Sequence, residues 1–426
     1  MHFFTLATLA TTVAAQLDLY STLVSDHELS TLSELLALVP DISNSLAAAS
    51  NITIFAPTNA AFASVPRDIP EGEAIEGKND TIAIGALLSN HVFKGYYPAE
   101  AVTDTPLFLQ SLLDSSFYNY RQPFGNFTGG QYNGVVRDGD HVAVISGELT
   151  VSYVTEADIK VENSVIIHKV DKVLSFGPPL QLFTRRDGLL DFNAAVNAAD
   201  LPYAFGSLDG SDATKQNISD FTVFIPNDAA FEAIGSVLEG ADQKTLQEVL
   251  AYHLVDDVVF STQLANVTVP SFQGADLTIT VAEDGSAWVN GAKILFPNVL
   301  LFNGVAHIID GVLNPSNAPF DRADIKLKAD ASDRVAFPDA SAVSKLPFSS
   351  ISYADDSATY STPELLKTML VIDPRATATV TTTTSNAEET GASVTGEPTS
   401  VAEAVGSKLV ATGAAVAALV VALFMV

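Results

Sequence analysis

The sequence predicts two tandem copies of one domain that mixes strands and helices. Three repeats carry this reading. The stretch Thr53-Ile54-Phe55-Ala56-Pro57-Thr58-Asn59-Ala60-Ala61-Phe62 returns 169 residues later as Thr222-Val223-Phe224-Ile225-Pro226-Asn227-Asp228-Ala229-Ala230-Phe231. Ile84, Leu87, Leu88 and His91 share their spacing with Leu246, Val249, Leu250 and His253. Residues 168–174 and 307–313 both read His-x-x-Asp-x-Val-Leu. The three landmarks keep their order, as a duplicated unit should.

Taken along the chain, each element has a local cause. Ser25 and Glu28 have the spacing of a capping box, and Leu29, Leu32, Leu36 and Val39 then line one helical face up to Pro40. The β-branched and aromatic run at 53–56 reads as a buried strand. Pro57 ends it, since proline cannot donate to a ladder, and Thr58 caps a short helix. Residues 66–80, rich in Pro, Gly and charge, read as a loop. Ile84 to His91 follow the i, i+3, i+4, i+7 pattern of a helix. Between His91 and His168 the first copy holds about 23 more residues than the second. The extra stretch falls at 117–132, which gathers Phe117, Tyr118, Tyr120, Phe124, Phe127 and Tyr132. It reads either as packing on its own or the neighbouring domain, or as an anchor for an external partner. Asn133-Gly134 and Asp138-Gly139 read as hairpin turns, with alternating strands through Val142, Val144, Leu149, Val151 and Tyr153.

Phe176-Gly177-Pro178-Pro179 reads as the boundary between domains. The second copy opens with a helix near Leu189 to Ala199 and repeats the strand, the Asn227 cap and the helix to His253. It then runs through Leu277, Ile279 and Val281, an Asp284-Gly285 turn, Trp288, an Asn290-Gly291 turn and Ile294.

The chain has 426 residues, 47% of them hydrophobic, enough for two cores. Its formal charge of −29 argues against nucleic acid or anionic lipid as a partner of the folded part. There is no cysteine, so stability rests on packing. The N-terminus carries an apolar run ending Val13-Ala14-Ala15 before Gln16, a leader with a small-residue cleavage site. Behind such a leader, the Asn-x-Ser/Thr sites at Asn51, Asn79, Asn126, Asn217 and Asn266 are predicted N-glycosylation sites. In residues 377–400, Ser and Thr account for 12 of 24, the composition of an extended, O-glycosylated spacer. Lys408 is the last charge, and Leu409–Val426 is an apolar tail of 18 residues. A spanning helix needs about 20, so the tail reads as a glycolipid-anchor signal, with Gly391 in the best run of small residues.

Together the landmarks resemble the fasciclin-type adhesion domain. The strand motif, the Tyr252-His253 helix end and Asn303-Gly304-Val305-Ala306-His307-Ile308-Ile309-Asp310 match that family's pattern, over roughly residues 17–315. The fold this resemblance implies is α+β: two tandem fasciclin-type domains, each a twisted β-wedge with packed helices. The expected division is 1–15 leader, 16–177 first domain, 178–316 second domain, 317–400 linker and Ser/Thr-rich stalk, and 401–426 anchor signal. The mixed stretch 317–375 fits either a stalk or packing on the second domain.

The resemblance also implies site residues. The family's Tyr-His region is implicated in integrin binding, which maps to Tyr252-His253 and, in the first copy, to Asn90-His91. Read from their apolar helix faces alone, both histidines are hydrogen-bonded core residues. Glu156-Ala157-Asp158-Ile159 resembles the family's Glu-Pro-Asp-Ile adhesion motif and aligns with Phe296-Pro297-Asn298-Val299. His168 and His307 each precede an Asp by three residues. Two ligands per domain do not make a metal site, and the pair reads as a His–carboxylate contact pinning the last strand. No nucleophile elbow, zinc-protease motif, phosphate loop or catalytic cysteine occurs. The expected protein is a non-enzymatic adhesion protein without cofactor. Its partner is a cell-surface or extracellular protein or glycan, and it reaches the membrane through the lipid anchor. The alternative is a wall- or polysaccharide-associated structural protein.

Overall fold

A computed structural model describes residues 19–118, 123–161, 164–206, 214–343, 346 and 361–368, all within one compact unit, 1–379. The leader, Tyr120, the Ser/Thr-rich spacer, Gly391 and the apolar tail lie outside the described residues.

The first copy begins with helices α1 (Leu19–Ser25), α2 (Ser30–Ala37) and α3 (Pro40–Ala47). Strand β1 (Ile52–Pro57) leads to α4 (Asn59–Ser64), α5 (Pro70–Gly77) and α6 (Thr81–Asn90). Strands β2 (Val92–Lys94), β3 (Leu107–Gln110), β4 (Tyr132–Asp138), β5 (His141–Ile145), β6 (Val151–Val161) and β7 (Val165–Val170) complete it. The seven strands lie in the order β2-β1-β7-β6-β5-β4-β3. Only β1 and β7 pair in parallel, with Phe55 opposite His168. Register shifts in β6 between Val154 and Ile159 bend the sheet. One core, including Phe62, Ile84, Leu88 and Ile167, lies between sheet and helices. A second, built on Phe55, Phe93, Val144 and Leu174, fills the fold of the wedge.

The second copy repeats the plan. Helices α7 (Leu180–Arg186) and α8 (Leu190–Ala199) come first, then a small parallel pair, β8 (Tyr203–Ala204) and β9 (Gln216–Asn217). After β10 (Phe221–Pro226) come α9 (Asp228–Ala233), α10 (Gly235–Leu238) and α11 (Gln243–Tyr252). The strands β11 (Leu254–Val255), β12 (Thr268–Pro270), β13 (Asp276–Val281), β14 (Ala287–Val289), β15 (Ala292–Leu300) and β16 (Gly304–Ile309) follow. Their order is β11-β10-β16-β15-β14-β13-β12, and β10 and β16 pair in parallel with Phe224 opposite His307.

The repeated stretch owes its letters to specific contacts. Thr53 Oγ1 donates to Gly95 O at 2.8 Å and accepts from Tyr97 N at 2.9 Å, strapping β1 to the loop after β2. Thr222 does the same with Asp257 O and Val259 N. Phe55 and Phe224 stack on His168 and His307. Thr58 and Asn227 cap their helices by accepting from Ala61 N and Ala230 N.

Several local expectations change. The capping-box residues part company: Asp26 accepts from Glu28 N, Ser25 turns back to Thr22 O, and the Glu28 carboxylate binds Lys169. Lys169 is buried among Asp26, Glu28 and Glu156 at 2.5, 2.9 and 2.8 Å. Residues 70–77 form α5, because Pro70 at its start has no N–H to leave unpaired, and Glu71 and Glu73 face the positive helix end. Asn133-Gly134 lies inside β4; the β4–β5 turn is Gly139-Asp140. His168 does not meet Asp171. Three positions apart along extended backbone, the two side chains leave opposite faces. Asp171 instead accepts from Tyr153 N at 2.7 Å, and Asp310 from Lys293 N at 2.7 Å.

The two copies share one core. Phe127, Val136, Ile145, Leu149 and Val151 of the first belong to the same buried cluster as Phe183, Phe221, Phe231 and Leu301 of the second. The aromatic insertion serves both cores: Phe127 and Tyr132 meet edge to face and Tyr132 meets Phe260 in the shared one, while Phe124 tilts against Phe176 in the first copy's own core. Phe108 stacks flat on Phe260 with ring centres 3.9 Å apart. Only Tyr118, 50% exposed, turns outward among the described aromatics of that stretch. The connector is pressed into the joint: a Cβ on Gly177 would stand 2.4 Å from the Leu301 carbonyl. Residues 314–343 then wrap the second copy. Arg334 holds Asp310 through two contacts of 3.0 and 2.5 Å and lies over the Trp288 ring.

A shared core implies shared unfolding. Phe231→Ala, at the centre of that core, should cost about 3–5 kcal/mol and lower a single calorimetric transition for both copies. Two resolved transitions, with only one displaced, would contradict this.

Candidate functional site

The helix ending at Asn90 leaves its last carbonyls without intrahelical partners. His91 takes one of them: its Nδ1–H donates to Leu87 O at 2.8 Å. Its Nε2 then accepts from Leu174 N, just past β7, at 2.9 Å. A carbonyl only accepts and an amide N–H only donates, so the ring is neutral and its tautomer fixed. Burial pushes His91 down to about 4, with the Leu87 contact opposing. His253 repeats this with Val249 O at 2.8 Å and Leu313 N at 2.9 Å, and burial again pushes it to about 4. Tyr252 is fully buried; its hydroxyl donates to Asp276 O at 2.8 Å and accepts from Asn290 Nδ2 at 3.0 Å. Asn90 is equally buried and accepts from Asn133 Nδ2 at 3.0 Å.

The second histidine of each copy has the opposite tautomer. His168 Nδ1 accepts from Asp158 N at 3.2 Å, which leaves Nε2–H to donate to Tyr97 O at 2.9 Å. His307 accepts from Asn298 N and donates to Val259 O. Asp158 (φ 62°) and Asn298 (φ 64°) occupy the left-handed region that Asp and Asn tolerate best after glycine. Each side chain then accepts a backbone N–H, from Ala99 at 2.9 Å and from Ser261 at 2.7 Å. The tetrapeptide 156–159 is therefore the bulge that bends β6. On it Glu156 and Ala157 are exposed, and Asp158 and Ile159 half-buried.

Of the glycosylation candidates, Asn51, Asn79, Asn217 and Asn266 are exposed and Asn126 is half-buried. Asn126 Nδ2 donates to Asn217 Oδ1 at 3.3 Å across the joint between copies. Beside it, Asp220 accepts from Thr128 N at 2.9 Å and Thr128 Oγ1 at 2.7 Å. Asn126 N donates to Phe302 O at 2.6 Å, and the buried Gln131 donates to Leu301 O at 2.9 Å.

Sequence reasoning did not single out Asp220, Phe260, Gln131 or Leu366 as parts of this joint. Gln131 lay at the edge of the aromatic run; the others belong to no repeat or motif. Glu71 is also buried at the joint and accepts from Phe176 N at 2.6 Å; burial raises it to about 7. Among the described residues no cluster of three or more His, Asp or Glu could hold a metal ion, and no helix is long and apolar enough to cross a membrane. A cavity of about 210 Å3 lies between the Asn290-Gly291 turn and residues 314–336, with Phe320, Asp324, Lys326 and Asp333 in its wall.

The Fasciclin domain family matches this chain twice, at residues 27–176 and 188–315. A fasciclin-like arabinogalactan protein of Arthroderma benhamiae is 30% identical over 297 residues, covering 68% of this chain and 65% of the relative. One from Cercospora beticola is 31% identical over 192 residues, covering 45% of this chain and 46% of the relative. The chain thus spans less than two thirds of either relative. Among solved structures, a FAS1 domain pair from the insect cell adhesion molecule fasciclin I matches at 18% identity and a TM-score of 0.29, covering 67% of this chain and 97% of that one.

The neutral histidines make stability depend on pH with a definite sign. His91, His253 and His307 titrate near 4 when folded, against 6.5 for a free histidine side chain. The unfolded chain therefore binds more protons between these values. Their contribution, on the order of 3 kcal/mol each, is complete above pH 6.5 and is lost as pH falls toward 4. Glu71, raised from 4.5 to about 7, acts in the opposite direction: its contribution is present below 4.5 and lost as pH rises to 7. Three histidines outweigh one carboxyl, so denaturation midpoints should fall steeply from pH 6 to 4. At neutral pH, His253→Ala should cost about 2–4 kcal/mol, since Leu313 N and Val249 O lose their partner. A pH-independent midpoint would refute the neutral-ring assignment.

Proposed function

The chain belongs to the fasciclin domain family, and on that premise we propose that it is a non-enzymatic, glycosylated cell-surface adhesion protein. In this reading the tail after Gly391 is exchanged for a glycolipid, and the folded pair stands on its Ser/Thr-rich spacer outside the cell. Glycans extend from Asn51, Asn79, Asn126, Asn217 and Asn266. The partner is a cell-surface or extracellular protein or glycan.

One observation supports the placing of the contact. Of the six adhesion candidates, Asn90, His91, Tyr252 and His253 have their side chains in the interior, while Asp158 and Ile159 lie on a bulge partly open to solvent. We assign the buried four to supporting the fold and the partly exposed bulge at 156–159 to contact. A second reading is a wall- or polysaccharide-associated structural role. It is favoured by the name arabinogalactan protein borne by the fungal relatives.

Cell binding and glycan-array binding of the soluble ectodomain separate the two readings. Ala157→Arg, at an exposed position, should weaken cell binding about tenfold or more with unchanged melting, as loss of a contact worth roughly 1.4 kcal/mol or more would. Unaltered cell binding would remove the bulge from the contact, and glycan binding without cell binding would favour the second reading. For processing, the mature protein should begin at Gln16, and phosphatidylinositol-specific phospholipase should release it from membranes. Detection of Leu409–Val426 in the mature chain by mass spectrometry would rule out the anchor.

A further inference from the structure

Where the two copies meet, a groove runs between Phe108, Ile145 and Leu149 on one side and Phe296, Pro297 and Leu300 on the other. Leu366 stands in this groove. It comes from α12 (Glu364–Thr368), far along the chain, and both Leu365 and Leu366 are buried in the core that the copies share. The helix has five residues, too short to hold itself in water, so the groove keeps it folded. Its polar side carries a Glu364–Lys367 ion pair at 3.1 Å, exposed to solvent. Leu346 is also buried in that core, and 14 residues, 347–360, connect it to Ser361. Fully extended, such a connection spans up to about 50 Å.

The occupant therefore buries two leucines in the shared core and is tied to its groove through a long connection. The same contacts are open to the identical segment of a neighbouring molecule. Only the local concentration of the tethered segment favours the molecule's own. We propose that the groove between the two domains is a docking site for residues 361–368 of a second copy of this chain, so that two copies exchange these segments and associate. The contact resembles a domain swap: it creates no new interface chemistry and needs only that two molecules lie close together. It depends neither on the glycans nor on the lipid anchor, so it stands or falls apart from the adhesive reading.

A fluorescein-labelled peptide of residues 361–368, followed by anisotropy, tests the groove. Full-length chain carrying Leu365→Asp and Leu366→Asp has its own segment expelled and should bind the peptide saturably. Wild type should bind it about tenfold more weakly or less, since its own segment competes at an effective concentration near millimolar. A peptide carrying Leu366→Asp should bind neither. If the double variant does not fold, Leu366→Ala in the full chain should show the same ordering in smaller measure. Equal binding to both proteins, or binding to neither, overturns the groove. Sedimentation of the wild-type chain up to millimolar concentration tests exchange. Dimers that excess peptide dissolves are the expected result, and a monomer throughout overturns it.

Discussion

Each domain depends on a histidine ring that has to stay uncharged. His91 and His253 sit where a helix stops, and each joins that end to the residue that leaves the last strand. The helix layer and the sheet therefore meet at a fixed point. The ring satisfies one acceptor and one donor at once, in a place that water does not reach. No lysine or arginine could do this, since neither accepts a hydrogen bond. The second histidine, in the last strand itself, works with the opposite tautomer and holds the bulge in β6 or β15 against the loop that follows β2 or β11.

The joint between domains follows a different logic. Its centre is apolar and aromatic, with Phe108 flat on Phe260, and its edge is polar, with Asp220 receiving the backbone and hydroxyl of Thr128. Polar contacts, including the buried one from Gln131 to Leu301 O, fix orientation, while buried apolar area supplies most of the free energy. The buried connector at Gly177 removes the slack that a flexible linker would leave.

The duplication and the landmarks were legible because they are local: a strand, a proline, a cap and a helix face lie within a few residues of one another. Helix α5 was not, since Pro70, Gly72 and Gly77 read as loop signals and outweighed the helix-forming Glu and Ala residues between them. Asp158 and Asn298 were aligned from the sequence, yet their task was hidden. Nothing in a tetrapeptide shows that its third residue adopts φ near +60° and accepts an N–H from 59 or 37 residues upstream. The joint was the least legible part. Gln131 and Leu301 are 170 positions apart, and the second copy has no counterpart of the insertion to compare.

Strand order makes the β14–β15 turn of the second domain the counterpart of the β5–β6 connection of the first. In the first domain that connection, with Leu149 and Glu148, faces the second domain, where Glu148 pairs with Arg186. In the second domain the corresponding turn is covered by the chain's own continuation: Phe320 lies against Gly291, and Arg334 reaches the Gly291 carbonyl and Asp310. Stacked repeats that each offer a surface to the next need a terminal piece that ends the series, or they keep a sticky end. Residues 314–343 play that part for the second domain: they cover the turn that would otherwise stay open.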